Sequence, residues 1–587
     1  MTFIAGILSR TDRPVGDSTC ASLQQLISRN PADEVSVFKD HHSYFAKVDI
    51  GAFGDPGSFK DTSGAVSLLA GEPLLIPPDP TSRPSRSTDL TTIHEHCLRN
   101  NWEVLREAEG TFCVIHYQPQ TSTLSLATDK LGIRPLYFWI NDDFVVFASA
   151  LRILEELPLV PKKMDLRAVT ELAGLGSPLA DRTPYTGIFL LKAGEIFQIT
   201  RERTSRRYYW RWDEVCVARE SEALRLRAVY DRFRKAVSRR LRDDRTTGAY
   251  LSGGLDSRCV VAALRQEGVR VHTVNFARPG TQDHYFGNEF AREIGSVHES
   301  VSKERGDSVP DYSSLMAKAL AESKHRNQGL AGRSRLVWSG EGGSVSLGLV
   351  HMSEAIVKLM RTGSTDGAIE EYLQQEHIQI PLKLFRPRIR ENLRDAIKGG
   401  IREELDEFHA EDLGRNFYLF LMHNDQRRKL MGHFEDIDLH RLEFQLPFFD
   451  GLFFGSVVAT PLELCLRHRF YIKWLTEFPP TVTAVPWQAY PGHEPCRLPI
   501  PTELTYQWNH RYQAQENASR KQRINQQGSE LLHSADFPDM VLSKRNLRLA
   551  AWIHSTGWRD YEYAIAAARI YHFYAKKCGG EFTLSFS

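Results

Sequence analysis

The sequence predicts an α/β protein in two parts: a strand-rich first part, then a domain built on a parallel sheet with a helical C-terminal portion. Three observations predict it. Residues 1 to about 200 carry short apolar or alternating runs broken by turn residues. From residue 249 onward, strand-like apolar runs alternate with helical ones, the pattern of a parallel sheet. Residues 350–475 then read as mostly helical.

The elements follow in order. Residues 77–85 are rich in proline and read as a loop, and 88–98 as a capped helix. Strands are expected at 123–127, 135–140 and 144–149, with turns around Gly132, Pro135 and Asn141-Asp142-Asp143. Residues 206–220 read as a linker, and 220–241 as a charged amphipathic helix. Next come a helix at 259–267, a strand at 269–276, a helix at 285–294 and a strand at 336–338. Residues 479–512 are rich in Pro, Gly and aromatics and read as an irregular segment or lid. The polar stretch 517–528 reads as mobile, and 547–577 as helical. No internal repeat is present. The 587 residues exceed one ordinary core, so two to four domains are expected, and two are drawn, 1–205 and 206–587.

Composition narrows the function classes. The net charge of +1 argues against nucleic acid as the main partner. The eight cysteines are scattered without a C-x-x-C pair, which suits free thiols in a reducing cytosol, so a cytoplasmic protein is expected. No apolar run is long enough to span a bilayer, and the N-terminus lacks a basic segment followed by an apolar one.

The chemistry concentrates in two glycine-rich segments. In Leu251-Ser252-Gly253-Gly254-Leu255-Asp256-Ser257, glycines let the backbone turn tightly and present N–H groups. A helix follows at once, and an anion at its N-terminus gains from free donors and the dipole. Asp256 can hold Mg²⁺ against phosphate oxygens. No Gly-Lys-Ser/Thr follows, so this is not the common P-loop. Ser-Gly-Gly alone would be an ordinary turn; the apolar run before it and the helix after it favour a pyrophosphate cradle. In Val337-Trp338-Ser339-Gly340-Glu341-Gly342-Gly343-Ser344-Val345, a strand ends in backbone donors and one carboxylate at the sheet edge where ligands bind. His94-Glu95-His96-Cys97 and His493-Glu494-Pro495-Cys496 invite a metal reading, but neither has a partner pair at ligand spacing.

The first segment resembles the signature of the ATP pyrophosphatases, in particular asparagine synthetases, and the second resembles their Ser-Gly-Glu-Gly signature. The resemblance implies cleavage of ATP to AMP and pyrophosphate, activation of a carboxylate as an acyl adenylate, and attack by an amine. It places Glu341 as the base, Asp256 on Mg²⁺, and Leu251, Ser252, Gly253, Gly254, Leu255, Ser257, Phe276, Ser339 and Gly340 around the nucleotide. Leu446-Pro447-Phe448-Phe449-Asp450, Arg427-Arg428 and Arg469-Phe470-Tyr471-Ile472-Lys473 resemble later segments of the same domain. Three departures stand out. Arg258 replaces a usual Ser, Ser344 and Val345 replace an acidic pair, and 485–490 lacks the family's lysine. Lys473, Lys521 and Lys544 are the candidates to supply that charge, Lys473 first.

The opening Met1-Thr2-Phe3-Ile4-Ala5-Gly6-Ile7, with Glu109-Gly110-Thr111-Phe112 and Asp129-Lys130-Leu131-Gly132-Ile133-Arg134-Pro135-Leu136-Tyr137, resembles class II glutamine amidotransferases. That implies an N-terminal-nucleophile (Ntn) fold, a four-layer sandwich of two antiparallel sheets between helices. The catalytic Cys is absent: Thr2 stands in its place, and Ala70-Gly71 replaces the Asn-Gly that holds glutamine and the oxyanion. Losing both should silence the glutaminase.

The expected function is an ATP-dependent, amide-forming ligase acting on a small-molecule or peptide carboxylate, with ammonia or an amine as nucleophile. ATP and Mg²⁺ are the expected cofactors. The family includes β-lactam synthetases and lasso-peptide cyclases, which also lack the Cys. Two alternatives are a non-catalytic nucleotide-binding scaffold and a glutamine-dependent enzyme using Thr2. A homodimer is left open.

Overall fold

A computed structural model describes residues 2–77, 85–301, 312–325, 333–506 and 510–584. They fall into two compact units interleaved in sequence. The first comprises residues 1–159, 191–350 and 426–507; the second comprises 160–190, 351–425 and 508–587. The 205/206 boundary drawn from the sequence lies inside the first unit.

The first unit holds three sheets. Five antiparallel strands of one run in the order Tyr137–Ile140, Phe144–Ala148, Thr2–Ser9, Ser43–Asp49, Val35–Lys39. A second antiparallel sheet runs Thr204–Tyr208, Glu195–Ile199, Thr123–Thr128, Phe112–Gln118, Val66–Gly71, Ser58–Lys60. The third is parallel throughout: Val297–Ser300, Arg270–Asn275, Thr246–Tyr250, Leu336–Trp338, Glu443–Gln445. The expected α/β class therefore holds, with Ntn-type antiparallel sheets first and a parallel sheet after.

Local sequence explains the elements near the site. Ser85 caps the helix Arg86–Leu98 through a capping box with Thr88, while the rest of the proline-rich loop, 78–84, lies outside the described residues. Ser221 caps the helix Glu222–Leu241, whose apolar face (Leu226, Val229, Tyr230, Phe233, Val237) is buried. The parallel strands are short and buried on both faces, as such sheets require. Glu443–Gln445, inside the segment read as helical, is the fifth strand of that sheet.

The run from Asp129 to Arg134 is a joint. The buried Asp129 carboxylate accepts four backbone N–H bonds, from Phe112, Leu131, Ile133 and Arg134, at 3.0–3.1 Å. That fixes the loop and aims Arg134 at Glu443 on the last parallel strand, where the two form a buried ion pair. Arg427 donates to Gly132 O (2.9 Å) and Leu191 O (2.6 Å) beside it. Asp450 caps the helix Gly451–Val458 and takes Arg239 and Arg240 at 2.9 and 2.6 Å.

The second unit is mostly helical. Its helices include Leu166–Leu175, Glu354–Arg361, Thr365–Gln375, Ala396–Asp406, Leu413–Leu421, His510–His533, Lys544–Thr556 and Glu562–Lys577. A short parallel pair joins Met164–Asp165 to Phe582–Thr583. The stretch 517–528, expected to be mobile, is part of the helix His510–His533. Ile524 and Leu531 on that helix are buried. Among the described residues no helix is long and apolar enough to cross a membrane.

Removing one partner of a buried ion pair leaves an uncompensated charge, at a cost of about 3–5 kcal/mol, whereas replacing both by apolar groups is often neutral. Glu443→Ala should lower the apparent unfolding temperature by several degrees in scanning calorimetry. Glu443→Leu combined with Arg134→Met should restore it. An unchanged single variant would show that the pair does not hold the joint.

Candidate active site at the glycine loops

The strand Thr246–Tyr250 runs out of the parallel sheet into Leu251, whose N–H bonds Val274 O (3.0 Å) and whose carbonyl accepts from Asn275 Nδ2 (2.8 Å). The chain then turns through 252–255 into the helix Asp256–Gln266. That helix begins three residues earlier than the sequence suggested, so Asp256 occupies its first turn, where a carboxylate is favoured by the dipole. The turn is wired internally. Ser257 Oγ accepts from Ser252 N (3.0 Å) and lies 3.0 Å from Ser252 Oγ, which accepts from Gly254 N (3.2 Å). Gly253 N donates to Asp283 Oδ1 at 2.6 Å, and a Cβ at Gly253 would stand 2.7 Å from Asp283 Cα. Only glycine permits that approach.

The second loop leaves the neighbouring strand, Leu336–Trp338, and lies on the first. Ser339 N bonds Gln445 O (3.1 Å), and Ser339 Oγ accepts from Glu341 N (3.2 Å). A Cβ at Gly340 would meet Ser257 N at 2.4 Å, and one at Gly343 would meet Asp256 Cγ at 2.6 Å. Gly342 has φ +90° and lies against the Phe449 ring, so the Leu-Pro-Phe-Phe-Asp run supports this loop from below.

Asp256 is the centre. Its Oδ2 accepts from Ser344 N (2.8 Å); its Oδ1 accepts from Ser344 Oγ (2.8 Å) and Tyr471 OH (2.7 Å). Burial pushes its pKa up, and those three bonds pull it back. Glu341 reaches solvent from a recess. Desolvation first, and then the charge of Asp256, raise its pKa; Lys429 opposes them. Tyr490 faces the same two carboxylates, and burial with their charge pushes its hydroxyl up to about 12.

The structure thus brings together Ser252, Gly253, Gly254, Asp256, Ser257, Ser339, Gly340 and Glu341. Leu251 and Leu255 are buried beneath the turn. Phe276, just past the strand Arg270–Asn275, is buried in an apolar cluster with Met316 and Leu320, and its ring lies 5.9 Å from that of Tyr312. Lys473 is not brought to the constellation: its ammonium pairs with Glu222 at 2.7 Å. On the helix Arg469–Trp474, residues two apart point to opposite sides, and the side facing Asp256 carries Tyr471. Sequence reasoning missed Tyr471. The signal was the apolar face of that helix (Phe470, Tyr471, Trp474), which marks the side turned inward.

The departures have structural roles. Arg258 is fully buried and donates to the carbonyls of Val482 (3.0 Å), Val485 (2.6 Å) and Pro486 (2.7 Å), tying the segment after 479 to the helix Asp256–Gln266. Ser344 grips Asp256 where the family resemblance places a second carboxylate. His493, once a metal candidate, shares a 2.8 Å Nδ1–Nδ1 hydrogen bond with His468, whose ring stacks on Tyr471 and Tyr490. Arg467 and His468 adopt left-handed φ values of 57° and 63°, a local strain of order 1–3 kcal/mol each. Among the described residues no group of three or more His, Cys, Asp or Glu could hold a metal. Magnesium fits only as a one-carboxylate site: Oδ2 of Asp256 accepts from Ser344 N and, as a carboxylate oxygen, has a second lone pair, leaving phosphate oxygens and water to complete the shell.

Comparison with known proteins finds two family matches. Residues 85–210 match the glutamine amidotransferase domain family, and residues 228–336 match the asparagine synthase family. Asparagine synthetase [glutamine-hydrolyzing] 3 of Bacillus subtilis is 22% identical over 262 residues, 42% of this chain and 42% of that protein. Asparagine synthetase [glutamine-hydrolyzing] 1 of the same organism is 24% identical over 303 residues, 48% of this chain and 46% of its own length. Asparagine synthetase [glutamine-hydrolyzing] 2 of Arabidopsis thaliana is 29% identical over 210 residues, 33% and 31% of the two chains. The chain spans less than half the length of each of these relatives. A solved glutamine phosphoribosylpyrophosphate amidotransferase from B. subtilis, complexed with ADP and GMP, is 12% identical and covers 59% of this chain and 77% of that one. Its TM-score of 0.22 is too low to carry weight. Residues 85–210 and 228–336 are thus similar to a glutamine amidotransferase domain and to asparagine synthase, the same pairing that the sequence motifs suggest.

Proposed function

We propose that the chain is an ATP-dependent ligase that adenylates a carboxylate, releases pyrophosphate and forms an amide with ammonia or an amine. The observation that carries this reading is the seating of the Glu341 loop on the Asp256 loop, which leaves no room for a Cβ at Gly340 or Gly343. A site of this shape offers a helix N-terminus to a phosphate chain and a carboxylate a short way off. Ser252, Gly253, Gly254 and Ser257 would line the phosphates, and Leu251, Phe276, Ser339 and Gly340 the rest of the nucleotide. Mg²⁺ held by Asp256 would neutralise phosphate charge. Glu341, whose pKa is raised, would take the proton that an ammonium must lose before it attacks the acyl adenylate. Atoms balance: the carboxylate oxygen displaces pyrophosphate from the α-phosphorus, and the amine then displaces AMP from the acyl carbon.

The glutaminase half is read as silent. Thr2 opens its strand opposite Asp49, and its side chain lies outside the described residues. Asp49 pairs with the buried Arg86 at 2.9 Å, and Arg86 Nε donates to Gly71 O at 2.9 Å. A buried ion pair therefore stands between the strand that opens on Thr2 and Gly71, the two positions where the resemblance places nucleophile and glutamine. A second reading, a nucleotide-binding scaffold, is favoured by one observation: three protein donors already bond Asp256, and two of them occupy Oδ1.

Pyrophosphate release from ATP, Mg²⁺ and a panel of acids tests both readings. Release is expected with ammonia as amine source and not with glutamine, and Asp256→Ala should lower it at least 100-fold. Release with glutamine would revive Thr2; none with any acid, but retained ATP binding, would favour the scaffold.

Glu341 must be ionised to act as a base, and its pKa is raised, so the rate should fall as pH drops through a value above about 4.3, that of an ordinary glutamate. Glu341→Gln should lower amide formation by about 10²–10⁴ and remove that acid limb. A limb that persists in the variant would assign the titration to another group.

A further inference from the structure

Far from the glycine loops, the first unit has a cleft of about 400 Å³ on the second antiparallel sheet, where the helix Arg86–Leu98 packs and ends. Its lining includes Asn100, His116, Thr123, Ser125, Gln198 and Arg203. These are amides, hydroxyls, an imidazole and one guanidinium. The volume falls within the range of small-molecule sites.

His116 ends a buried hydrogen-bond chain. Asp61 Oδ2 lies 3.2 Å from His94 Nε2, His94 Nδ1 lies 2.9 Å from Ser67 Oγ, and Ser67 Oγ lies 2.9 Å from His116 Nδ1. The order Asp–His–Ser resembles a hydrolytic triad, but Ser67 is fully buried with an imidazole on each side, so no acyl group can reach it. Asp61 is held below the usual carboxylate range, and His94 Nε2 donates to it. Ser67 Oγ stands between the two imidazoles and bonds both. Burial keeps His116 neutral, with a pKa lowered to about 3. Its Nε2 is turned away from Ser67, buried and without a hydrogen-bond partner among the described residues. An unmade bond at such an atom carries a desolvation penalty. The wall of the cleft thus lacks one hydrogen-bond partner.

We propose that this cleft binds a small polyhydroxylated molecule, neutral or singly anionic, one of whose hydroxyls, able to donate or accept, bonds His116 Nε2. Thr123, Ser125 and Gln198 supply the mixed donors and acceptors that such a molecule needs. No carboxylate lines the cleft among the described residues, and Arg203 is exposed at its wall, so a cation is disfavoured and a carboxylate-bearing sugar is accepted. The site is separate from the nucleotide loops and does not depend on the function proposed for them.

The test is titration of the full chain, without ATP, with D-glucose and with D-gluconate, followed by ligand-observed NMR and calorimetry. Saturable binding of at least one is expected, weakened at least tenfold in His116→Phe. Gln198→Leu, at a half-buried position, should give the same loss with an unchanged circular dichroism spectrum, which guards against a folding defect in the first variant. Arg203→Ala should weaken gluconate alone, and Asp256→Ala should change neither. Absence of saturation with both probes would mean that the cleft holds only ordered water, and would overturn the proposal. So would binding that survives His116→Phe and Gln198→Leu.

Discussion

The backbone of one glycine loop rests directly on the other, with 2.4 Å between a hypothetical Gly340 Cβ and Ser257 N. Everything else at the site follows from that contact. It brings Ser344 to Asp256 with both its N–H and its hydroxyl, and it sets Glu341 in a recess where the Asp256 charge is felt. Two parallel strands that are neighbours in the sheet, Thr246–Tyr250 and Leu336–Trp338, deliver the loops at the same edge. The chemistry is therefore a property of strand order before it is a property of any side chain.

The amidotransferase-like half contributes a different kind of order. Its longest motif does structural work. Asp129 satisfies four backbone donors, and Arg134 carries the loop's geometry to Glu443 on the parallel sheet. The neighbouring sheet thus ends on one of its arginines.

Much of this was legible in the sequence. Glycine loops announce themselves because close backbone approach leaves no alternative residue, and the strands beside them are apolar. What escaped was set by contacts distant in the chain. The strand Glu443–Gln445 is three residues long and includes a glutamate, whose burial makes sense only with Arg134, some three hundred positions away. Lys473 looked catalytic because lysine is chemically expressive; helix geometry gives that side to Glu222 and the inner side to Tyr471. The stretch 517–528 looked mobile because it is polar, but a helix needs only a narrow apolar stripe to dock, and Ile524 and Leu531 supply one. The wiring of His116 was not readable at all, since it joins Asp61, Ser67 and His94 across three elements.

The guanidinium of Arg258 turns two apparent oddities into one. An arginine where a serine is usual, and a segment at 485–490 without its lysine, look like independent losses along the chain. In three dimensions the arginine holds the carbonyls of Val482, Val485 and Pro486. The buried side chain and the backbone it holds are therefore a single contact, and a serine at 258 would take that donor away from all three carbonyls at once.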